Sequence, residues 1–285
     1  TPCVNAESPD KATSDQQQTL KKETEAQKLG RELLELLQKM ANEHAKTAFQ
    51  CLPGNQSCPV DTLRPGSGQA SAKEEALAKE DLKAKDIQKA IDLIEKGADV
   101  NVINESGMSP LYAAVMLDNV ELVTLLLQKN ANPEPSEMAS PLVINVMLGR
   151  KREITKLLIE NGANVNMQIN EGSQTPLMLA VFKNDLELAT LLIEKGADVN
   201  IQAKIIMLVP NVDISFTALS TAVELQNVEM VKLFLENGAD ITIKNKYGNN
   251  KDESKDKDGK TALEQAKKLG NQELIDLLSK YNVKE

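Results

Sequence analysis

Tryptophan is absent from these 285 residues, and aromatic side chains make up only 2% of them. The core therefore has to come from Leu, Ile, Val and Ala, which fits helices with thin apolar faces. Histidine occurs once, as His44. Without a second histidine, and with no Gly-x-Ser-x-Gly elbow, Walker sequence or His-Glu-x-x-His helix, acid–base, phosphate and zinc chemistry have few residues to work with. No run approaches the ~18 to 20 apolar residues that a membrane-spanning helix needs. The net charge is −9, which argues against the clustered-Lys and Arg surface that phosphate binding needs, so no nucleic-acid partner is expected. Cysteine is limited to Cys3, Cys51 and Cys58. No cofactor or metal is expected.

A phrase that recurs takes up most of the chain. Glu194-Lys-Gly-Ala-Asp-Val-Asn200 is repeated identically at Glu95 to Asn101, with variants at Glu160 to Asn166 and Glu236 to Thr242 and a degenerate copy at Gln128 to Asn132. The copies place Gly97, Asn130, Gly162, Gly196 and Gly238 at intervals of 33, 32, 34 and 42 residues. A period in the thirties marks a stacked repeat array. A second phrase opens each unit, at Ser109-Pro-Leu-Tyr, Ser140-Pro-Leu-Val, Thr175-Pro-Leu-Met, Thr217-Ala-Leu-Ser and Thr261-Ala-Leu-Glu. A hydroxyl residue before Pro suits the N-cap and N1 positions of a helix. Aliphatic runs such as Val123 to Leu127 supply a second helix with a buried stripe, and the glycine after it suits a left-handed C-terminal cap. Each unit is two short antiparallel helices and a long turn, and none can bury its apolar face alone.

The two phrases in fixed order resemble the ankyrin repeat, with its Thr-Pro-Leu-His-x-Ala opening and Gly-Ala-Asp-x-Asn exit, over roughly residues 73 to 282. The resemblance implies an all-α class: an ankyrin-repeat solenoid of helix-turn-helix repeats with protruding hairpin loops, here joined to an N-terminal amphipathic helix. The family's His is replaced throughout, by Tyr112, Val143, Met178, Ser220 and Glu264. An array looser than the family pattern follows, most of all around Ser140.

In chain order, residues 1–19 read as a disordered tail and 20–70 as a helix and linker. The helix is carried by Leu29, Leu33, Leu36, Leu37, Met40, His44 and Ala48 at steps of three and four. Residues 71–282 read as the repeat domain, with an N-terminal cap at 72–101, repeats at 102–134, 135–166, 167–200 and 201–242, and a C-terminal cap at 243–282. The opening phrases at Thr175, Thr217 and Thr261 stand 42 and 44 residues apart, about ten more than the family period. Both insertions fall in the hairpin. Ile205-Ile-Met-Leu-Val-Pro210 should seek cover, whereas Lys251 to Asp258 is a solvated charge run. Aligned as a calcium loop, the latter lacks the first Asp and last Glu.

The resemblance places partner-binding positions at hairpin tips and late in each first helix. Those positions are Met116, Leu117, Met147, Leu148, Phe182, Lys183, Glu224 and Leu225, with Ile206 and Leu208 at the elongated tip. Most are apolar where solvent is expected, which points to a partner site. The alternative is that the loop after Asn200, or the N-terminal helix, covers the row. The helix stripe should dock on the array, either at the end of the first repeat or in the groove, since an isolated helix of this kind is marginal in water. Cys51 and Cys58 flank a Pro-Gly turn, so a disulfide is expected. A reduced pair, or a zinc site with His44 and Cys3, are the alternatives. Asn55 and Asn104 each open a glycosylation sequon, a pattern frequent by chance.

The expected function is a monomeric, non-catalytic module that binds another protein through the concave face and hairpin tips. The alternatives are an accessory protein whose 20–70 segment carries a separate activity, and a secreted bacterial effector. Clustered cysteines and a first residue other than Met suggest export, periplasmic or secreted, with a signal peptide removed. A cytoplasmic or host-injected protein would carry the same repeats.

Overall fold

A computed structural model describes residues 25–43, 83–136, 139–168, 173–206, 213–246 and 259–282. In chain order these form α1 (25–43), α2 (83–95), α3 (Pro110–Met116), α4 (Val120–Gln128), α5 (Pro141–Leu148), α6 (Arg152–Glu160), α7 (Pro176–Phe182) and α8 (Leu186–Glu194). Strands β1 (Ala203–Ile206) and β2 (Asp213–Phe216) follow, then α9 (Ala218–Glu224), α10 (Val228–Glu236), α11 (Ala262–Leu269) and α12 (Gln272–Asn282). The chain divides into two compact units, residues 1–135 and 136–285. Cys3, Cys51, Cys58, His44, Leu208 and the 251–258 charge run lie outside the described residues, as does the disulfide expectation.

The opening hydroxyls start the first helices as their position requires. The side-chain oxygens of Ser109, Ser140, Thr175, Thr217 and Thr261 accept from the backbone N–H three residues on, at 3.1 to 3.3 Å. Pro occupies the first turn of α3, α5 and α7, where its missing N–H has no helical partner to lose. Asn119, Asp185 and Asn227 cap the second helices α4, α8 and α10. Helix α6 alone of these starts, at Lys151, without a side-chain cap bond. Second helices end on a left-handed residue. At Gly196, φ is 91°, and the next N–H, of Ala197, returns 2.9 Å to the Leu192 carbonyl. Asn130 takes the same role at φ 62°, tolerable because Asn visits this region more easily than other side chains.

The closing Asn of the exit phrase joins one repeat to the next. Asn200 accepts from the Asp240 N–H at 2.7 Å and donates to the Gly238 carbonyl at 3.1 Å. Asn166 does the same with Asp198 (2.8 Å) and Gly196 (3.3 Å), and Asn101 with Asn132 (2.7 Å) and Asn130 (3.2 Å). The corresponding place after α4 holds Glu134, whose carboxylate has no N–H to donate.

In unit 2 the first helices α5, α7, α9 and α11 pack side by side, and so do the second helices α8, α10 and α12. Each pair closes on Leu, Ile, Val and Ala side chains such as Leu142, Leu158, Leu177, Leu192 and Val231, with Phe234 the largest fully buried group. The class is that of an all-α repeat solenoid, with one addition. The first long insertion forms an antiparallel hairpin, Ala203 opposite Phe216 through Ile206 opposite Asp213. Ser215 also exchanges backbone bonds with Lys246, at 3.0 and 2.9 Å, and Asn245 with Lys260, at 2.8 Å each. The two insertions, unlike in composition, therefore share one small backbone ladder.

In unit 1, α1 docks on the first repeat. Leu33, Leu34, Leu37, Met40 and Ala41 form its buried stripe. The Asp99 N–H donates 2.9 Å to the Ala26 carbonyl, Asn104 Nδ2 donates 3.3 Å to Gln38 Oε1, and Lys89 of α2 pairs with Glu32 at 3.1 Å.

Candidate protein-binding face

Four large apolar side chains stand in solvent at the ends of the first helices of unit 2. Met147 and Leu148 end α5, Phe182 ends α7, and Leu225 caps α9, with exposures of 47%, 40%, 48% and 48%. They arise because the helices are short. Seven or eight residues make about two turns; the first turn is buried against neighbouring helices, and the last residues project past the core. Leaving such a side chain exposed forgoes about 2 kcal/mol of burial.

Charged and amide groups frame these residues. Lys183 and Glu224 are exposed. The Lys183 ammonium leans across to α5 and lies 3.5 Å from the place where a Cβ on Gly149 would be. Glu224 accepts from Gln265 of α11. Between the turns, Asn227 donates to Asn184, and Asn271 donates to Gln226 at 3.2 Å. The turns after α7, α9 and α11 are thus joined by amide contacts, with Lys183 and Glu224 among the charges beside them.

Phe182 meets Phe216, the last residue of β2, edge to face with ring centroids 5.9 Å apart. Phe216 is buried, so the base of the hairpin supports the row without hiding it. Sequence reasoning passed over Phe216. Its signal was an aromatic placed directly before the Thr217 cap, in a chain with very few aromatics. Ile206 lies in β1, as the elongated-hairpin reading requires.

Leu117 does not belong to this face. It is 4% exposed, because an apolar side chain with room in the core of its own unit gains more from burial than from solvent. Met116 is partly buried. Of the expected binding positions, the exposed apolar ones are therefore those of unit 2, while Ile103 of unit 1, also exposed, lies outside the first helices. The Asn104 sequon is also occupied: its Oδ1 accepts from Ser106 and Met108 N–H at 3.0 and 2.9 Å, and its amide reaches Gln38. Among the described residues no group of His, Cys, Asp or Glu could hold a metal, and no helix is long and apolar enough to cross a membrane.

Burial raises the Tyr112 pKa. Asp240 is held below the usual carboxylate range by the Thr242 hydroxyl and backbone N–H. Glu264 is lowered by the Thr261 backbone N–H and then its hydroxyl, with Lys244 and Lys260 adding. Asp240 belongs to a turn and Glu264 to a helix cap, while Tyr112 lies in α3.

Stacked helix pairs, asparagine links and projecting hairpins define a class of helical repeat protein built for contact surfaces. The family model for ankyrin repeats (3 copies) matches residues 82–169, 134–203 and 203–285, and the chain belongs to the ankyrin-repeat family. Among curated proteins it is similar to the ankyrin repeat protein FPV014 of Fowlpox virus (strain NVSL), with 34% identity over 91 residues, or 32% of this chain. That match spans 21% of the relative's length.

Proposed function

We propose that the chain is a non-catalytic recognition module that takes a protein partner on the face carrying Met147, Leu148, Phe182 and Leu225. The supporting observation is the exposure of four large apolar groups on three neighbouring helices of one unit, since a cluster of this kind is costly unless it is covered on binding. Lys183 and Glu224 at its margin would set the orientation of the partner more than its affinity. The β1–β2 hairpin, braced against Phe182 through Phe216, would form a side wall.

The test is affinity capture from the native source with the full chain and with a Phe182→Asp, Leu225→Asp variant. Both positions are half exposed, so the variant should keep its circular dichroism and lose only about 1 kcal/mol with the Phe182–Phe216 contact. Proteins retained by the parent and lost from the variant are the expected result. Equal retention by both would move the binding site elsewhere. Export of the protein, suggested by Cys51 and Cys58, is tested separately by titrating thiols in the unreduced denatured chain: one free thiol supports it, and three remove its basis.

A further inference from the structure

Helix α1 is held by unit 1 as a ligand is held by a site. The later repeats are linked by paired asparagine bonds, whereas α1 carries neither the opening phrase nor the exit phrase. Its attachment is mainly the apolar stripe Leu33, Leu34, Leu37, Met40 and Ala41. The polar contacts around the stripe include the Glu32–Lys89 pair, which is about half exposed and so adds little.

The contact at Gly30 is specific. A Cβ built there would lie 2.5 Å from the Asp99 carbonyl oxygen and 3.0 Å from Val102 Cγ1. The helix backbone therefore rests directly on the Asp99 carbonyl and the Val102 side chain, and one turn earlier the Asp99 N–H bonds the Ala26 carbonyl at 2.9 Å. No other residue type fits that place without moving the main chain. Glycine is also a poor helix former, so its presence favours docking at the expense of the free helix.

We propose that the surface formed by α2 and residues 99–104 is a binding site for an amphipathic helix, with α1 as its resident occupant. A partner helix carrying the same pattern, a glycine followed at +3, +4 and +7 by large aliphatic residues, competes for it. This site is separate from the face around Phe182.

The probe is a fluorescein-labelled peptide of residues 24–43, added to the full chain and to its Gly30→Ala variant. The added Cβ should release α1, seen as faster amide exchange across residues 25–43 with the other helices unchanged. The emptied site should then capture the native peptide at least ten-fold more tightly than the unmodified chain does, and should not capture the Gly30→Ala peptide. Unchanged protection of α1 in the variant, or failure of a released variant to take up the peptide, would overturn the proposal. If Gly30→Ala disturbs the first repeat, a Leu33→Asp, Leu37→Asp chain empties the site while leaving Asp99 and Val102 untouched, and the same capture is expected of it.

Discussion

Within unit 2, α7–α8 and α5–α6 are two copies of one pattern, and they solve the same packing problem differently. In α7–α8 the first helix presents Ala180 and the second presents Ala189, both fully buried, and Asp185 caps the second helix. At the same places α5–α6 has Asn145 and Thr155, also buried, with Asn145 Nδ2 donating 2.7 Å to Thr155 Oγ1 and 3.4 Å to the Lys151 carbonyl. Asn145 Oδ1 accepts no bond from the described residues, and α6 starts without a side-chain cap. A buried polar residue is thus tolerated in a repeat when its counterpart on the second helix changes with it, and the repeat that accepts it gives up part of its stability.

The sharpest way to break this comparison is to move the asparagine alone into the better copy. Ala180→Asn faces Ala189, which offers no hydroxyl; an unpaired buried amide with overpacking should cost about 3 kcal/mol. Urea unfolding followed by circular dichroism would read it. The reverse exchange is smaller. Thr155→Val alone removes the acceptor of the Asn145 amide and should cost about 1 to 2 kcal/mol. Adding Asn145→Ala, which recreates the Ala222 and Val231 pair of α9–α10, should recover that loss and add about 1 kcal/mol over the parent. A double variant less stable than Thr155→Val would mean that the polar pair is better than its apolar replacement.

These contrasts bear on how much the bare sequence disclosed. Helix starts were legible because Ser or Thr before Pro has a local reason to sit at an N-cap, one that needs no tertiary context. The closing Asn of each exit phrase was legible as a recurrence, but its paired bonds depend on the next repeat's glycine lying beside it. The apolar stripe of α1 could be read from periodicity. Its seat could not, because the deciding contact is between Gly30 and the Asp99 carbonyl and Val102 side chain. Leu117 was misjudged for a related reason: position in a helix tells which way a side chain leaves the axis, not whether its own unit has room for it. Asn145 stands where the other opening phrases keep Ala, so the weak copy had a visible mark, although its answering Thr155 shows only in three dimensions.

The smallest predicted effect concerns the helix starts. At α11 the Thr261 N–H and hydroxyl donate to Glu264 at 2.8 and 3.1 Å, whereas at α5 the corresponding residue is Val143, whose side chain has no acceptor to return to Ser140. Because the folded pKa of Glu264 is depressed, its contribution is complete above the unfolded value and is lost as pH falls through the folded one. Acid titration should therefore speed amide exchange at the start of α11 before that of α5. Glu264→Gln, which can still close the box, should remove the difference.

The link from Asn200 to Gly238 and Asp240 has a consequence for how such a chain can change length. The link closes before β1 begins, and the Thr217 cap fixes α9 whatever precedes it, so Ile206 and Asp213, paired across the two strands, are anchored points for any peptide joined between them. Lengthening it costs only about 0.6 kcal/mol of closure entropy per doubling. That position is therefore a splice point, where a foreign recognition sequence could be carried without moving a helix.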